Sequence, residues 1–291
     1  MLFPPDFLTR LEYLSIISKR VFRGSLLAQR RTVQMGSGIE FSDHREYSPG
    51  DDFRYLDWNI YARHGDLLLK RFQEEQDLHV YLMLDCSRSM GFGDPAKFDL
   101  ARQLVAALAY IALADLDRIN VLAFSDTIID EFPLTRGKAQ ILPLMKFLEN
   151  LEVSGADTSI ARGVQGLVHR SGRSGMTVVV SDLFDESGFE SGLDQLRYRR
   201  YDGHVLQLHD QKELDPPMLG DVEMVDVETG SNRKVTVTER NIRKYKQLFE
   251  EHQSSVREYC RNYAMGCTQT PAHVPFDDLI LNMMRASRQG A

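Results

Sequence analysis

The sequence predicts an α/β protein: a parallel sheet flanked by helices, with a small β-rich subdomain before it. Three observations lead there. From about residue 76, short apolar runs alternate with helical patterns, which is the signature of βαβ units. The run "MTVVVSDLF" (176–184) is β-branched along most of its length, as in a strand buried on both faces. The first 75 residues are instead rich in charge, glycine and turn signals such as Pro49-Gly50.

The elements follow in order. Residues 7–20 carry a helical stripe of Phe7, Leu11, Leu14 and Ile17, extended by Val21. Short strands are expected around Pro49-Gly50. "LHVYLMLD" (78–85) reads as the first strand of the sheet. In the helix that follows, Asp94 stands at a cap position, Pro95 at the first turn, and Leu100, Leu104, Leu108 and Ile111 on one face. "RINVLAFS" (118–125) is the next strand, with "TIIDEF" (127–132) its hairpin partner or neighbour. "AQILPLMKFLENL" and "SIARGVQGLVHRS" read as helices, the second capped by Thr158 or Ser159. After 176–184 come a helix in "FESGLDQLRYRR" and a strand in "GHVLQLHD" (203–210). Residues 215–237 interrupt the alternation as a β-hairpin insertion turning at Thr229-Gly230-Ser231. A long helix over 239–264, striped by Ile242, Tyr245, Phe249, Val256, Tyr259 and Tyr263, precedes a strand or loop (265–272) and a terminal helix (276–288). The expected domains are therefore 1–75, a helix plus a β-rich subdomain, and 76–291, the α/β domain.

Composition narrows the function. The chain has 291 residues, 43% hydrophobic and 26% charged, enough for a full core. A net charge of −7 argues against a nucleic-acid partner, because phosphate backbones repel acidic surfaces. Cys86, Cys260 and Cys267 are an odd, sparse set without CxxC spacing, which argues against a disulfide framework or a zinc site. The first twenty residues carry Asp6, Arg10 and Glu12 through their apolar stretch, unlike a signal peptide. The longest apolar run, 104–114, is shorter than the ~20 residues a bilayer requires. A soluble, cytoplasmic protein is expected, with no transmembrane segment.

Ligands in an open parallel sheet bind at the carboxyl ends of strands. Asp85 stands at one such end, followed at alternate positions by Ser87 and Ser89; Asp182 stands at another; Thr158 precedes a helix. Oxygen donors without His or Cys select Mg²⁺, Mn²⁺ or Ca²⁺ rather than zinc. If the two aspartates bind directly, they cancel the charge of a divalent ion; if they bind through waters, the ion stays electrophilic and takes an outside carboxylate as a further ligand.

These residues resemble the metal-ion-dependent adhesion site of von Willebrand factor A domains, DxSxS…T…D, as "DCSRS", Thr158 and Asp182. The upstream block "EFSDHREYSPGDDFRYLDWNIYARHGDLLLKRFQEEQD" resembles the signature of the bacterial domain-of-unknown-function family 58, in which a PGDD-x-R-x-x-DW segment precedes such a domain. The resemblance implies a Rossmann-like von Willebrand A-type fold and a metal site at Asp85, Ser87, Ser89, Thr158 and Asp182, holding Mg (or Mn/Ca). It also implies a MoxR-type AAA+ ATPase as partner and an assembly or chaperone-like role. Two stretches depart from the adhesion-site pattern: Ser181-Asp182-Leu183 stands for Thr-Asp-Gly, and Gly155-Ala156-Asp157-Thr158 for a tight Gly-Gly-Thr. Either Asp157 adds charge there or Ser159 competes with Thr158 as a ligand.

The expected function is a non-enzymatic, metal-dependent protein-binding module. The alternative is a Mg-dependent phosphoryl hydrolase with Asp85 as nucleophile. It lacks a second acid at position 87, and Lys97, the nearest lysine in sequence, is expected to face solvent. Cys86 reads as a small packing residue, since its acid and serine neighbours do not lower a thiol pKa. Asp43, Arg45, Glu46, Asp51, Asp52, Arg54, Asp57 and Arg63 read as a salt-bridge and hydrogen-bond network fixing the β-rich subdomain on the main domain, the alternative being a partner surface, with Trp58 a buried anchor of that subdomain.

Overall fold

The computed structural model describes residues 2–22, 40–73, 78–155, 158–216, 219–225 and 232–289. The chain forms two compact units, one of residues 1–18 with 78–290, the other of residues 19–77.

The large unit is built on a six-stranded sheet, the Rossmann-like α/β architecture expected. Its strands are β3 (His79–Asp85), β4 (Arg118–Phe124), β5 (Ile128–Arg136), β6 (Met176–Ser181), β7 (Asp202–His209) and β10 (Gly266–Pro271), in the order β10-β7-β6-β3-β4-β5. All neighbours run parallel except β5, which returns antiparallel beside β4. The chain leaves β3 for β4 on one side and later enters β6 on the other. The order thus reverses between β3 and β6, which pair as Leu84↔Val180 near their carboxyl ends.

Helices cover both faces because side chains alternate along each strand. Tyr81 and Met83 point to a core closed by α5 (Ile160–Arg170), α6 (Glu190–Tyr198) and α8 (Glu239–Asn262), through Val164, Leu193 and Val256. The opposite face packs on α3 (Lys97–Ala114), whose alanine-rich sequence is buried almost all round. α4 (Ile141–Asn150) and α9 (Phe276–Gln289) lie against α3 in turn. The apolar stripe of α1 (Phe7–Phe22) is buried at Phe7, Leu11 and Leu14.

Several expectations change. The start of α1 belongs to the large unit and not to the β-rich one: Phe7 stacks on Phe276 at 4.8 Å between centroids, and Arg10 pairs with Asp277 at 2.5 Å. α3 begins at Lys97 with Ala96 in the cap position, later than Asp94 and Pro95 suggested, because Gly93 and Ala96 pair across a tight turn. On α8 only Phe249, Val256 and Cys260 are buried, while Tyr245 and Tyr263 are exposed. The insertion pairs β8 (Gly220–Val225) with β9 (Asn232–Val237) antiparallel, after the short α7 (Gln211–Leu214); the turn expected at Thr229-Gly230-Ser231 lies outside the described residues.

In the small unit, β1 (Glu40–Glu46) pairs antiparallel with β2 (Leu68–Gln73) around α2 (Trp58–His64). Asp57 caps α2, accepting from Asn59 and Ile60, and faces His44 and Lys70. Arg45 pairs with Asp51 and Arg54 with Asp52 in the turn after β1, and Arg71 with Asp43 across the β1/β2 ladder, so these charges act within this unit. Trp58 is 60% exposed and not a buried anchor. It opens a helix of seven residues, lies edge-on to Tyr61 one turn later, and leaves burial to Leu56 and Leu69.

Candidate metal centre

Loops at the carboxyl ends of the strands converge at the β3/β6 reversal. Asp85 ends β3, fully buried. Its Oδ1 accepts from the Ser87 N–H at 2.8 Å, which folds the chain back after the strand. Its Oδ2 accepts from the Ser181 hydroxyl at 2.6 Å, across to the end of β6. The Ser87 and Ser89 hydroxyls lie 3.0 Å apart, so two of the expected donors sit side by side.

The Thr158 loop is tied in from three sides. Ser154 N–H donates to the Cys86 carbonyl at 2.7 Å, Ser159 N–H to the Ser125 carbonyl at 2.9 Å, and Ile160 N–H to Asp185 at 2.9 Å. Thr158 is buried at this junction, and Asp157 lies outside the described residues. Ser159 is the N-cap of α5, its hydroxyl accepting from Arg162 N–H at 3.4 Å. The Ser159 hydroxyl thus has a structural task at the start of this helix.

Asp182, also fully buried, follows Ser181. Its Oδ1 accepts from Phe184 N–H at 3.1 Å, and its Oδ2 from the ammonium of Lys97 at 2.8 Å. Lys97 was expected in solvent, and its side chain has no exposure. The same ammonium donates to Glu213 Oε1 at 2.5 Å. Glu213 is held by a capping box on α7, its Oε2 accepting from Asp210 N–H at 2.7 Å. Gly93, at φ 104°, passes so close to Asp210 that a Cβ there would lie 2.6 Å from the carboxylate. Asp210 and Glu213 thus bring a fourth strand end, that of β7, to the site. The sequence reading missed Lys97 and Glu213; the available signal was Asp210 followed three residues later by Glu213, a capping-box spacing at a strand end.

Electrostatics follow from burial. Burial, with the Asp182 charge beside it, pushes the Asp85 carboxyl up to about 7, against the pull of the Ser181 and Ser87 hydrogen bonds. Burial disfavours the Lys97 ammonium, but the charges of Asp182 and Glu213 outweigh it and hold its pKa above the ordinary value. Burial raises Glu213 and pushes the Cys86 thiol up, which leaves Cys86 an inert packing residue.

The donor set suits a hard divalent cation. The carboxylates of Asp85, Asp182, Asp210 and Glu213 gather around the one ammonium of Lys97, an excess of acid over base that favours a further cation. Among the described residues no three His, Cys, Asp or Glu side chains are grouped for a metal; an ion held here would need hydroxyls beside its carboxylates. That is the chemistry of Asp85, Ser87, Ser89 and Thr158.

The sequence pattern of the family described as "Protein of unknown function DUF58" matches residues 43–255. The chain belongs to this DUF58 family. The DUF58 match spans residues of both compact units and includes all five expected metal ligands. An uncharacterized protein of Mycobacterium tuberculosis is similar at 24% identity over 237 residues, covering 80% of this chain and 74% of that one. Among solved structures, BatB of Bacteroides thetaiotaomicron aligns with a TM-score of 0.40 at 16% identity, over 64% of this DUF58 chain and 98% of that chain. Proximal thread matrix protein 1 from the mussel byssus, solved with a zinc-occupied MIDAS motif, aligns with a TM-score of 0.45 at 12% identity, over 72% and 48%.

Proposed function

We propose that the large unit is a non-enzymatic, metal-dependent protein-binding module. A divalent cation, Mg²⁺ or else Mn²⁺ or Ca²⁺, is held by Asp85, Ser87, Ser89 and Thr158 with Asp182 behind, and takes a carboxylate from a protein partner. The observation that carries the reading is the buried set of oxygen donors at the sheet's reversal, with more carboxylates than the one buried ammonium pairs. When bound, the ion supplies an electrophilic coordination position for that carboxylate. The chain's own residues do the rest: Ser181 and Ser87 N–H orient Asp85, and the Ser159 cap and Asp185 fix the loop bearing Thr158. The resemblance to domain-of-unknown-function family 58 implies a MoxR-type AAA+ ATPase as that partner and an assembly or chaperone-like role, and we place the meeting in the cytoplasm. The test is co-purification with that ATPase for wild type and Asp85→Ala, with and without EDTA. Capture that depends on both Asp85 and the metal supports the reading; equal capture in all four cases removes it.

One observation favours a second reading, a Mg-dependent phosphoryl hydrolase with Asp85 as nucleophile: Lys97 lies in the site. Against it, position 87 is a serine paired with Ser89, and the ammonium is shared by two carboxylates, which leaves no surplus positive charge for a phosphate. A screen of phosphoesters with Mg²⁺ or Mn²⁺ separates the two. Turnover lost in Asp85→Asn favours the enzyme.

A further inference from the structure

Lys97 is fully buried, and both hydrogen bonds found for its ammonium go to carboxylates, Asp182 at 2.8 Å and Glu213 at 2.5 Å. A buried ammonium is tolerated only when it is paired. The cost of placing one here is met by the very carboxylate that the metal-site reading assigns to a divalent ion. The two acids differ in how they are held. Glu213 is fixed through its other oxygen in the capping box of α7. Asp182 is held by Phe184 N–H on Oδ1, with its backbone carbonyl anchored by Gln207 at 3.1 Å. The Phe184 ring lies 5.7 Å from the ammonium. Two cations cannot draw fully on one carboxylate without repelling each other, and in a buried site that repulsion is poorly screened.

The geometry points to Lys97 as the resident cation of this site, an ammonium tethered to α3 that competes with a divalent ion for Asp182, with Glu213 setting how strongly it competes. The inference rests on the reading that the site takes a divalent cation, and it makes Lys97 and Glu213 affinity-setting residues that need not touch the metal. When an ion draws on Asp182, Glu213 is the carboxylate that retains the ammonium. Without Glu213, the lysine has only Asp182 and holds it harder. Lys97 and Glu213 therefore act on metal affinity with opposite signs. A merely structural pair would act with the same sign, since losing either partner would loosen the site.

The experiment is calorimetric titration of the full chain with Mn²⁺ and with Mg²⁺ alone. Methionine replaces Lys97 because it keeps an unbranched side chain and removes the charge. Lys97→Met is expected to bind about ten-fold more tightly than wild type, and Glu213→Gln about three-fold or more weakly, changes of the size that one charge contact produces. The gain in Lys97→Met should vanish in Lys97→Met/Asp85→Ala. A gain that survives there means the ion sits where the ammonium was, and the inference fails. If Lys97→Met does not fold, Glu213→Gln decides alone: weaker binding supports the inference, unchanged or tighter binding overturns it. Wild type that binds while Lys97→Met binds equally or less tightly overturns the competition and leaves the metal site standing. Binding in Lys97→Met but not in wild type is the competition in its strongest form. No binding in any of these proteins overturns both.

Discussion

The hydroxyl of Ser181 donates to Oδ2 of Asp85 at 2.6 Å, joining the ends of two adjacent parallel strands at the point where strand order reverses. The same oxygen accepts from Leu183 N–H at 2.8 Å, so one serine both steadies the acid and shapes the loop that carries Asp182. Ser181→Ala leaves a fully buried carboxylate short of a donor. Bonds to charged groups are worth about 1.5–3 kcal/mol, and urea unfolding should show a loss in that range. The Asp85 carboxyl should rise further, because the bond that favours its charged form is gone. An unchanged urea midpoint would show that Asp85 does not depend on this bond.

Thr158 and Ser159 are adjacent, and either hydroxyl could be a ligand by sequence alone. The cap bond to Arg162 separates them. Ser159→Ala should cost about 1 kcal/mol of stability and leave Mn²⁺ affinity unchanged, as expected for a lost N-cap. Thr158→Ala should weaken Mn²⁺ binding at least about ten-fold, and Thr158→Ser should restore it. The check is calorimetry beside thermal unfolding of all three variants. Weaker metal binding in Ser159→Ala at unchanged stability would reverse the assignment.

Gly192 of α6 lies against the first turn of α5. A Cβ there would meet Ile160 Cγ2 at 2.7 Å and its carbonyl carbon at 2.9 Å. Backbone cannot step aside as a flexible side chain does, so Gly192→Ala should cost about 1–3 kcal/mol. Ile160 is two residues from Thr158, and the shift should also weaken Mn²⁺ binding. A variant as stable as wild type, with the same affinity, would show that the two helices have room to spare.

Much of this site is legible in the sequence, and the illegible parts share a cause. Asp85, Ser87 and Ser89 can be read because a short apolar run ends in them within five residues, and Asp182 because it ends the most β-branched run of all. Lys97 cannot be read the same way. A lysine opening a helix is normally solvated, and its partners lie 85 and 116 residues further along the chain. Only the sheet order, which brings the ends of β6 and β7 together, places it between them. Arg10 and Asp277, 267 residues apart, moved the first helix out of its expected subdomain by the same route. Trp58 fails for the opposite reason: its residue type signals a core position, but it opens a seven-residue helix that buries none of its residues.

Acid should destabilise the large unit through His204. Burial pushes its imidazole down to about 4, where the ring sits at 3.1 Å from the Thr268 hydroxyl and is packed so closely on Gly266 that a Cβ there would lie 2.0 Å from Nδ1. The unfolded chain takes the proton near the ordinary value of about 6.5, well before the folded one does. Its neutral burial therefore contributes fully above pH 6.5, and that contribution is lost as pH falls toward 4. The ceiling is about 3 kcal/mol for this one group. His209 is pushed down to about 4 as well, by burial and then by the Lys97 charge, so His204→Gln should flatten only part of the profile. Urea unfolding at pH 7.0 and 4.5 measures the difference. His204→Gln should lose roughly 2 kcal/mol less than wild type across that interval. Parallel losses in the two proteins would mean that His204 takes its proton as readily in the folded chain as in the unfolded one, and that its ring is not shielded by β10.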